Sequence, residues 1–403
     1  MPGNADVRDP LSTFPFLFHL RKSFPLESSG INASGAAAHP LPTSGNGMNA
    51  QTRRAILVLI VVNALWGMTF PVMKGLNLQI DQHFGVTEHT ATIWLRASSA
   101  AWMIGIRFGL ALIMFSIVFH RVMARIRMVH VWGGLAIGFF FFSGLLLQVV
   151  ALGTIPASRS GFLTSMAVVF TPVMATLIRG RLPRTTVMVG VAIAMAGVAV
   201  LTEIVVVDRS GVSIASDALQ RWTRGDTLTI LGALFFSGQI MMVDYLGKRY
   251  ESIALTPTMF GSVVLMAGVT FAILSPHVPE ATGEAAWTSL AISPEFIGLI
   301  GLLGIFPSLL AFAWMNKFQP YLSAGQAAVI YTCEPFFAST WAMILPGLMA
   351  TYCAIGYQNE TFSWPLIFGG VLILAANVIA LWPQRQPREN HGSAQVSPPT
   401  TDA

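Results

Sequence analysis

Ten apolar stretches, each about 20 residues long and nearly free of charge, leave this chain few folds to choose from. They run over roughly 55–75, 98–119, 130–152, 159–178, 185–205, 226–247, 255–275, 295–315, 323–346 and 363–382. About 20 apolar residues in a helix are what a bilayer's hydrocarbon core requires. No backbone group can be left unpaired in lipid, so each stretch is predicted to be a helix. The strands of a membrane β-barrel would be shorter and would alternate polar with apolar residues, and these stretches do not. Composition agrees: 10% of the 403 residues are charged and 54% hydrophobic, where a soluble domain carries about 25% charged residues. The expected fold class is an all-α polytopic membrane protein with ten transmembrane helices.

The ends of the chain differ. Residues 1–50 are rich in Ser, Pro, Gly and Ala, as in "ESSGINASGAAAHPLPTSGNG", and are expected to be a disordered tail, as are residues 384–403. "FPFLFHL" is too brief to span, and its basic pair, Arg21 and Lys22, follows rather than precedes it, unlike a signal peptide. Met48 is an alternative start to Met1, giving "MNAQTRRAILVLIVV".

Net charge is +5, with a pI of about 9.5. The basic residues sit between apolar runs, so the excess is read as loop bias, with no nucleic-acid partner expected. Arg53 and Arg54, Arg121, Arg125 and Arg127, Arg179, Arg181 and Arg184, Lys248 and Arg249, Lys317, and Arg385 with Arg388 all fall in alternate loops. The opposite loops are poorer: 276–294 holds Glu280 and Glu284, 347–362 holds Glu360, and 206–225 is mixed. Lys/Arg bias sets orientation, so both termini are expected in the cytoplasm, with 206–225 an extracytoplasmic linker. A bacterial cytoplasmic membrane is the expected location.

The fifth and tenth stretches match without gaps. "GVAIAMAGVAVL" (190–201) and "GVLILAANVIAL" (370–381) share six of twelve residues. The stretches before them also correspond: "SGFLTSMAVVFTP" ends at Pro172 and "SAGQAAVIYTCEP" at Pro335. The chain thus reads as two five-helix halves, 51–205 and 226–383. Five is odd, so the second half enters the membrane from the other side, the inverted repeat of many secondary transporters.

"NALWGMTFPVMKG" (63–75), "GIRFGLALIMF" (105–115), "FTPVMATLIRGRLP" (170–183) and "CEPFFAS" (333–339), taken with the two matched segments, resemble the EamA-type transporters of the drug/metabolite transporter superfamily. The resemblance spans about residues 55–382. It implies a ten-helix carrier, most often an exporter of amino acids or related small metabolites, with a central cavity between the halves. Where that family commonly ends its fourth and ninth helices near a Gly-Glu pair, this chain has "IRGRLP" and "ILPGLMATYC".

Ionisable residues inside the spans are few and are the candidates for chemistry. Glu334 is the deepest acid, read as a substrate-amine or proton site, or as a neutral acid hydrogen-bonded within the bundle. Pro335 removes a backbone hydrogen bond and kinks the helix, and Pro172 is its counterpart beside Thr171. Asp244 stands at helical contact spacing from Lys248 and reads as an ion pair or a coupling acid. Lys74 closes the first helix, snorkelling to the interface or binding a substrate carboxylate. Arg107 reads as a coupling or structural charge, with a partner within the bundle expected ahead of substrate. Trp66, Gln148, Gln239, Trp314, Asn316 and Tyr331 complete the candidates for the cavity, Tyr331 one helical turn before Glu334.

No His, Cys and carboxylate spacing suggests a metal, no GxxxxGK[ST] suggests ATP hydrolysis, and no cofactor is expected. The leading expectation is a secondary carrier of small molecules in a lipid bilayer, with protons as a possible coupling ion. The alternatives are a nucleotide-sugar or sugar-phosphate exchanger, a membrane enzyme acting on lipid, and a non-transporting accessory protein.

Overall fold

The computed structural model describes residues 50–180, 182–208, 211–247, 249–281, 286–322 and 324–381. The expected tails, but for Ala50, and the Lys248 half of the Asp244 pair lie outside these residues.

Every one of the ten apolar stretches is helical. The first is α1 (Ala50–Gly67) and α2 (Thr69–His83), which together make one span of 34 residues. At 1.5 Å per residue this is about 51 Å long, more than the roughly 30 Å of a hydrocarbon core. There follow α3 (Ile93–Val118), the short α4 (His120–Met123) and α5 (Met128–Leu152). The fourth stretch divides into α6 (Ala157–Thr164) and α7 (Ala167–Ile178), and the fifth is α8 (Thr185–Leu201). Eight helices or joined helices are long and apolar enough to cross a membrane among the described residues, and a ninth crossing arises if one bent pair is a single span. α8 is 17 residues long.

The expected linker is not featureless. Strands β1 (Val205–Asp208) and β2 (Gly211–Ile214) form an antiparallel hairpin, Val205 opposite Ile214, followed by α9 (Ala218–Arg221). Arg221 ties this knot together, donating from Nε to Asp217 (2.8 Å) and from Nη1 to Glu203 (2.8 Å). The hydrogen bond from Arg221 holds the Asp217 carboxyl below its ordinary range.

The second half is α10 (Arg224–Gly247), α11 (Ser252–Leu274), α12 (Ala286–Ala291), α13 (Pro294–Leu303), a π-helical turn (Gly304–Leu310) and α14 (Ala311–Phe318). It ends with α15 (Ala324–Tyr331), α16 (Glu334–Ala342), α17 (Leu345–Cys353) and α18 (Trp364–Leu381). The 347–362 segment, expected to be a loop, is therefore helical as far as Cys353. Pro346 stands in the first turn of α17, where a missing N–H costs nothing. α16 and α17 meet at a 49° bend.

Contacts between helix ends fix which ends lie together. Thr92 donates from its N and Oγ1 to Glu280 (3.1 Å each), and Tyr352 donates to the Pro294 carbonyl (3.2 Å). The N–H groups of Ala157 and Ser158 donate to Glu360 (2.7 and 3.3 Å), as does the Ser158 hydroxyl. Two acids from second-half loops thus satisfy the orphan N–H groups that open α3 and α6, where the helix dipole favours negative charge. At the opposite end, Asn316 donates to Thr256 (2.7 Å).

The two segments matched in sequence pack against each other. α8 and α18 cross where a Cβ on Gly197 would stand 2.9 Å from the Gly369 carbonyl and 2.8 Å from Ile373. A Cβ on Gly369 would stand 2.6 Å from the Leu201 nitrogen. Lipid is as apolar as leucine, so helices in a bilayer associate by close packing rather than by burial from water, and small residues allow it. Gly197 is such a residue, with Gly369 as the backbone it touches.

Gly197→Leu is expected to cost about 1–3 kcal/mol, the range for overpacking, read as a fall in unfolding temperature of detergent-purified protein. Gly268→Ala is the control: nothing lies within 4 Å of its added Cβ, and it should leave that temperature unchanged or raise it.

Candidate functional site

The fourth and ninth apolar stretches are both broken helices, α6 with α7 and α15 with α16, and α16 packs against α6 and against α1. The breaks fall at Ser165–Met166 and at Thr332–Cys333. Discontinuous helices facing one another across a bundle are where transporter folds place substrate and ion sites.

Glu334 is the first residue of α16, in the first turn where the helix dipole favours an acid. It is half-buried, and no hydrogen bond or ion pair holds its carboxylate among the described residues. Ala338 and Trp341, four and seven residues on, share its face. That face turns inward: a Cβ on Gly67 would stand 2.7 Å from the Ala338 nitrogen, and Trp341 donates from Nε1 to the Ala64 carbonyl (2.8 Å). The expected partnership of Tyr331 with Glu334 through one continuous helix is corrected, because the chain breaks between them at Thr332–Cys333. The Tyr331 ring instead lies 5.7 Å from the Trp66 ring, and its hydroxyl donates to Gln319 (2.9 Å).

The two prolines also differ in local role. Pro335 enters α16 at its first turn, directly after the break, where a helix tolerates it. Pro172 lies inside α7, six residues past the break at Met166. The sequence match aligns the prolines, but the breaks they accompany are offset by about one helical turn.

Trp66 joins the halves. Its ring sits 5.6 Å from Phe312 and its Nε1 donates to the Pro307 carbonyl (3.1 Å). Phe312 continues into Phe141 and Phe260, and these into Phe108. Trp314 packs beside Trp66 and Tyr331 on the small cluster of Leu59, Val62 and Ala311. A seam of rings thus runs between α1, α3, α5 and α11 on one side and α14 and α15 on the other.

A second group lies between α2, α5 and α6. Gln148 donates to Thr164 (2.8 Å), Asn77 to the Val149 carbonyl (2.9 Å), and Lys74 to the Ile155 carbonyl (2.7 Å). Lys74 does not end its helix, which runs on to His83, so the expected snorkelling is replaced by capture of a main-chain oxygen freed where α5 ends. Gln239 is half-buried on α10, and Asp244 is exposed near that helix's end, apart from these groups.

Three arginines are drawn into the bundle. Arg96 is buried and holds Asp81 with two bonds (2.7 and 2.8 Å). Arg159 holds Asp226 likewise (2.7 and 2.6 Å), and Asp226 also accepts from Thr223. Fork-on-carboxylate pairs of this kind combine charge with fixed geometry. The partners stand 15 and 67 positions apart on different helices, so no short motif announced them. The third, Arg107, is 3% exposed and donates from Nε to the Ser308 hydroxyl (2.8 Å) in the π-helical turn. Its Nη1 is buried and has no partner among the described residues. A charge at a helix centre costs about 2.5–3.5 kcal/mol on insertion scales.

Near the end where Glu280 and Glu360 act, a cleft of about 330 Å³ is lined by Gln79, Gln82, His83, Ser289, Leu290, Ser293 and Cys353. Among the described residues no three His, Cys, Asp or Glu side chains stand together as metal ligands.

Asp81→Ala would strand Arg96 in the interior, and its expected cost is about 3–5 kcal/mol. The pair Asp81→Ala with Arg96→Met should recover most of it, measured by thermal unfolding in detergent.

No protein-family model matches the chain. It is 26% identical over 328 residues to a protein of Archaeoglobus fulgidus named "Uncharacterized transporter", covering 81% of this chain and 85% of that one. A solved structure described as "Crystal structure of protein" superposes with a TM-score of 0.44 at 15% identity, over 81% of this chain and 96% of that one. The apolar helices make the chain an integral, polytopic, helical membrane protein.

Proposed function

We propose that this protein is a secondary carrier of small metabolites, working by alternating access between two inverted five-helix repeats, 51–205 and 226–383. The packing pattern carries the reading. Counted in order, the second apolar segment packs on the seventh, the fourth on the ninth and the fifth on the tenth. The larger of the other contacts between the halves exchange in pairs: third on sixth with eighth on first, third on seventh with eighth on second, and fourth on sixth with ninth on first. Swapping the halves exchanges these larger contacts among themselves, in keeping with a two-fold axis in the membrane plane. The relative named as a transporter supports the same reading.

In this reading all ten segments cross the membrane, and the Lys/Arg bias places both termini in the cytoplasm. The Glu280 and Glu360 contacts then close the extracytoplasmic end. Substrate passes along the seam of Trp66, Tyr331 and Trp314, with Glu334 beside it at the α15–α16 break. Gln148 and Lys74 lie toward the extracytoplasmic end of the same path, and Gln239 flanks it on α10. Glu334, having no fixed partner, takes and releases a proton as the path opens to either side. The resemblance to EamA-type exporters points to amino acids or similar metabolites and to a bacterial cytoplasmic membrane.

A sugar-phosphate or nucleotide-sugar exchanger fits less well. It would need several free cations on the path, whereas Lys74, Arg96 and Arg159 are each committed to an oxygen of the protein.

Purified protein in proteoliposomes should move one or more of a panel of labelled amino acids and small metabolites when a pH gradient is imposed. Glu334→Gln should abolish the dependence on the gradient, and Trp66→Ala should raise the half-saturating concentration roughly five- to tenfold, the worth of one lost ring contact. No flux of any compound, with or without the gradient, would leave the accessory-protein reading in its place.

A further inference from the structure

Arg107 differs from every other arginine inside the bundle. Arg96 and Arg159 each meet an aspartate through two bonds, while Arg107 has one neutral partner, Ser308, and makes no ion pair among the described residues. Its guanidinium carbon lies 5.0 Å from the Phe108 ring centroid, and Nη1 is buried with nothing to donate to. The Ser308 hydroxyl accepts from Nε and keeps its own proton to give.

The backbone opposite is unusual as well. Ser308 belongs to the π-helical turn Gly304–Leu310, which contains Pro307. π-helical turns inside α-helices are rare and occur frequently at functional sites. The Pro307 carbonyl is the one that accepts from Trp66 Nε1, so the turn that holds Arg107 also holds the aromatic seam. Arg107 and the proposed path are therefore adjoining parts of one structure.

We propose that Arg107 and Ser308 form a binding site for the carboxylate of an organic monoanion, which docks there during transport. This rests on the carrier reading for its role, though the site itself stands on the geometry of Arg107. The charge count selects the ligand class. One guanidinium with no counter-ion is neutralised by one carboxylate, whereas a phosphate dianion would leave a net negative charge beside Phe108. A carboxylate taking Nη1 and the Ser308 proton satisfies both groups at once. The ring-lined surroundings suit an organic body over an inorganic ion.

The test uses full-length protein in detergent and three compounds of one shape: phenylacetate, phenylacetamide and phenethylamine. Phenylacetate is expected to raise the unfolding temperature and to bind in calorimetry, and its amide and amine analogues are expected to do neither. Arg107→Met should weaken phenylacetate binding at least tenfold, in line with loss of a charged hydrogen bond. Without phenylacetate it should unfold at the same temperature as the parent or higher, since a lone buried charge has been removed. Ser308→Ala, which keeps the charge, should weaken binding several-fold and leave the unfolding temperature within a degree or two.

The proposal is overturned if phenylacetate does not bind, if the amide or amine binds as well, or if Arg107→Met fails to fold or melts several degrees lower. Flux in proteoliposomes separates it from the carrier reading. Phenylacetate bound through Arg107 in a protein that moves no compound removes the carrier and leaves the site. Transport of an uncharged compound or a cation, without phenylacetate binding, removes the site and leaves the carrier.

Discussion

A backbone in hydrocarbon has to satisfy its own hydrogen bonds, and everything else in this protein follows from that requirement. It turns each apolar run into a helix. It also removes the usual reason for helices to associate, since lipid solvates leucine as well as protein does, so the helices hold together by fit. The crossing of α8 on α18 shows how close that fit is: Gly197 and Gly369 bring two backbones to a distance that no side chain could share. The two segments most alike in sequence are therefore the two that touch.

Departures from the continuous helix are where the requirement is relaxed, and they are not scattered. The breaks at Ser165–Met166 and Thr332–Cys333 and the π-turn at Gly304–Leu310 belong to segments packed inside the bundle. There, protein partners can take up the freed backbone groups, as Trp66 does for the Pro307 carbonyl and Lys74 for that of Ile155. These irregular segments bring the candidate site together, because a broken helix offers polar groups that an unbroken one hides.

Charge follows a related division. Asp81 with Arg96, Arg159 with Asp226, and Glu280 and Glu360 at two helix starts are committed pairings that tie segments of the chain together at one end of the bundle. Glu334 and Arg107 are not committed in this way, and each sits beside a break in helical geometry. Partners distinguish structural charge from available charge, and partners are not written in the local sequence. Lys74 looked like an interfacial lysine because the apolar run seemed to stop there. Its helix continues for two more turns, since Asn77, Gln79 and Asp81 are buried against protein and need not be apolar to remain helical.

The sequence by itself determined that this is a bundle of apolar helices, and located all ten helical segments, because hydropathy over about 20 residues is a local property that lipid enforces without tertiary help. It also held the match between residues 190–201 and 370–381 on which the proposed repeat rests, and it marked Glu334, Arg107 and Trp66 as residues out of place in an apolar run. Only the tertiary structure decided which of these have partners, where the helices break, and that the turn bearing Ser308 joins Arg107 to Trp66. The Trp66–Pro307 bond alone links residues 241 positions apart, and the chain brings them together through the packing of whole helices, which no short stretch encodes.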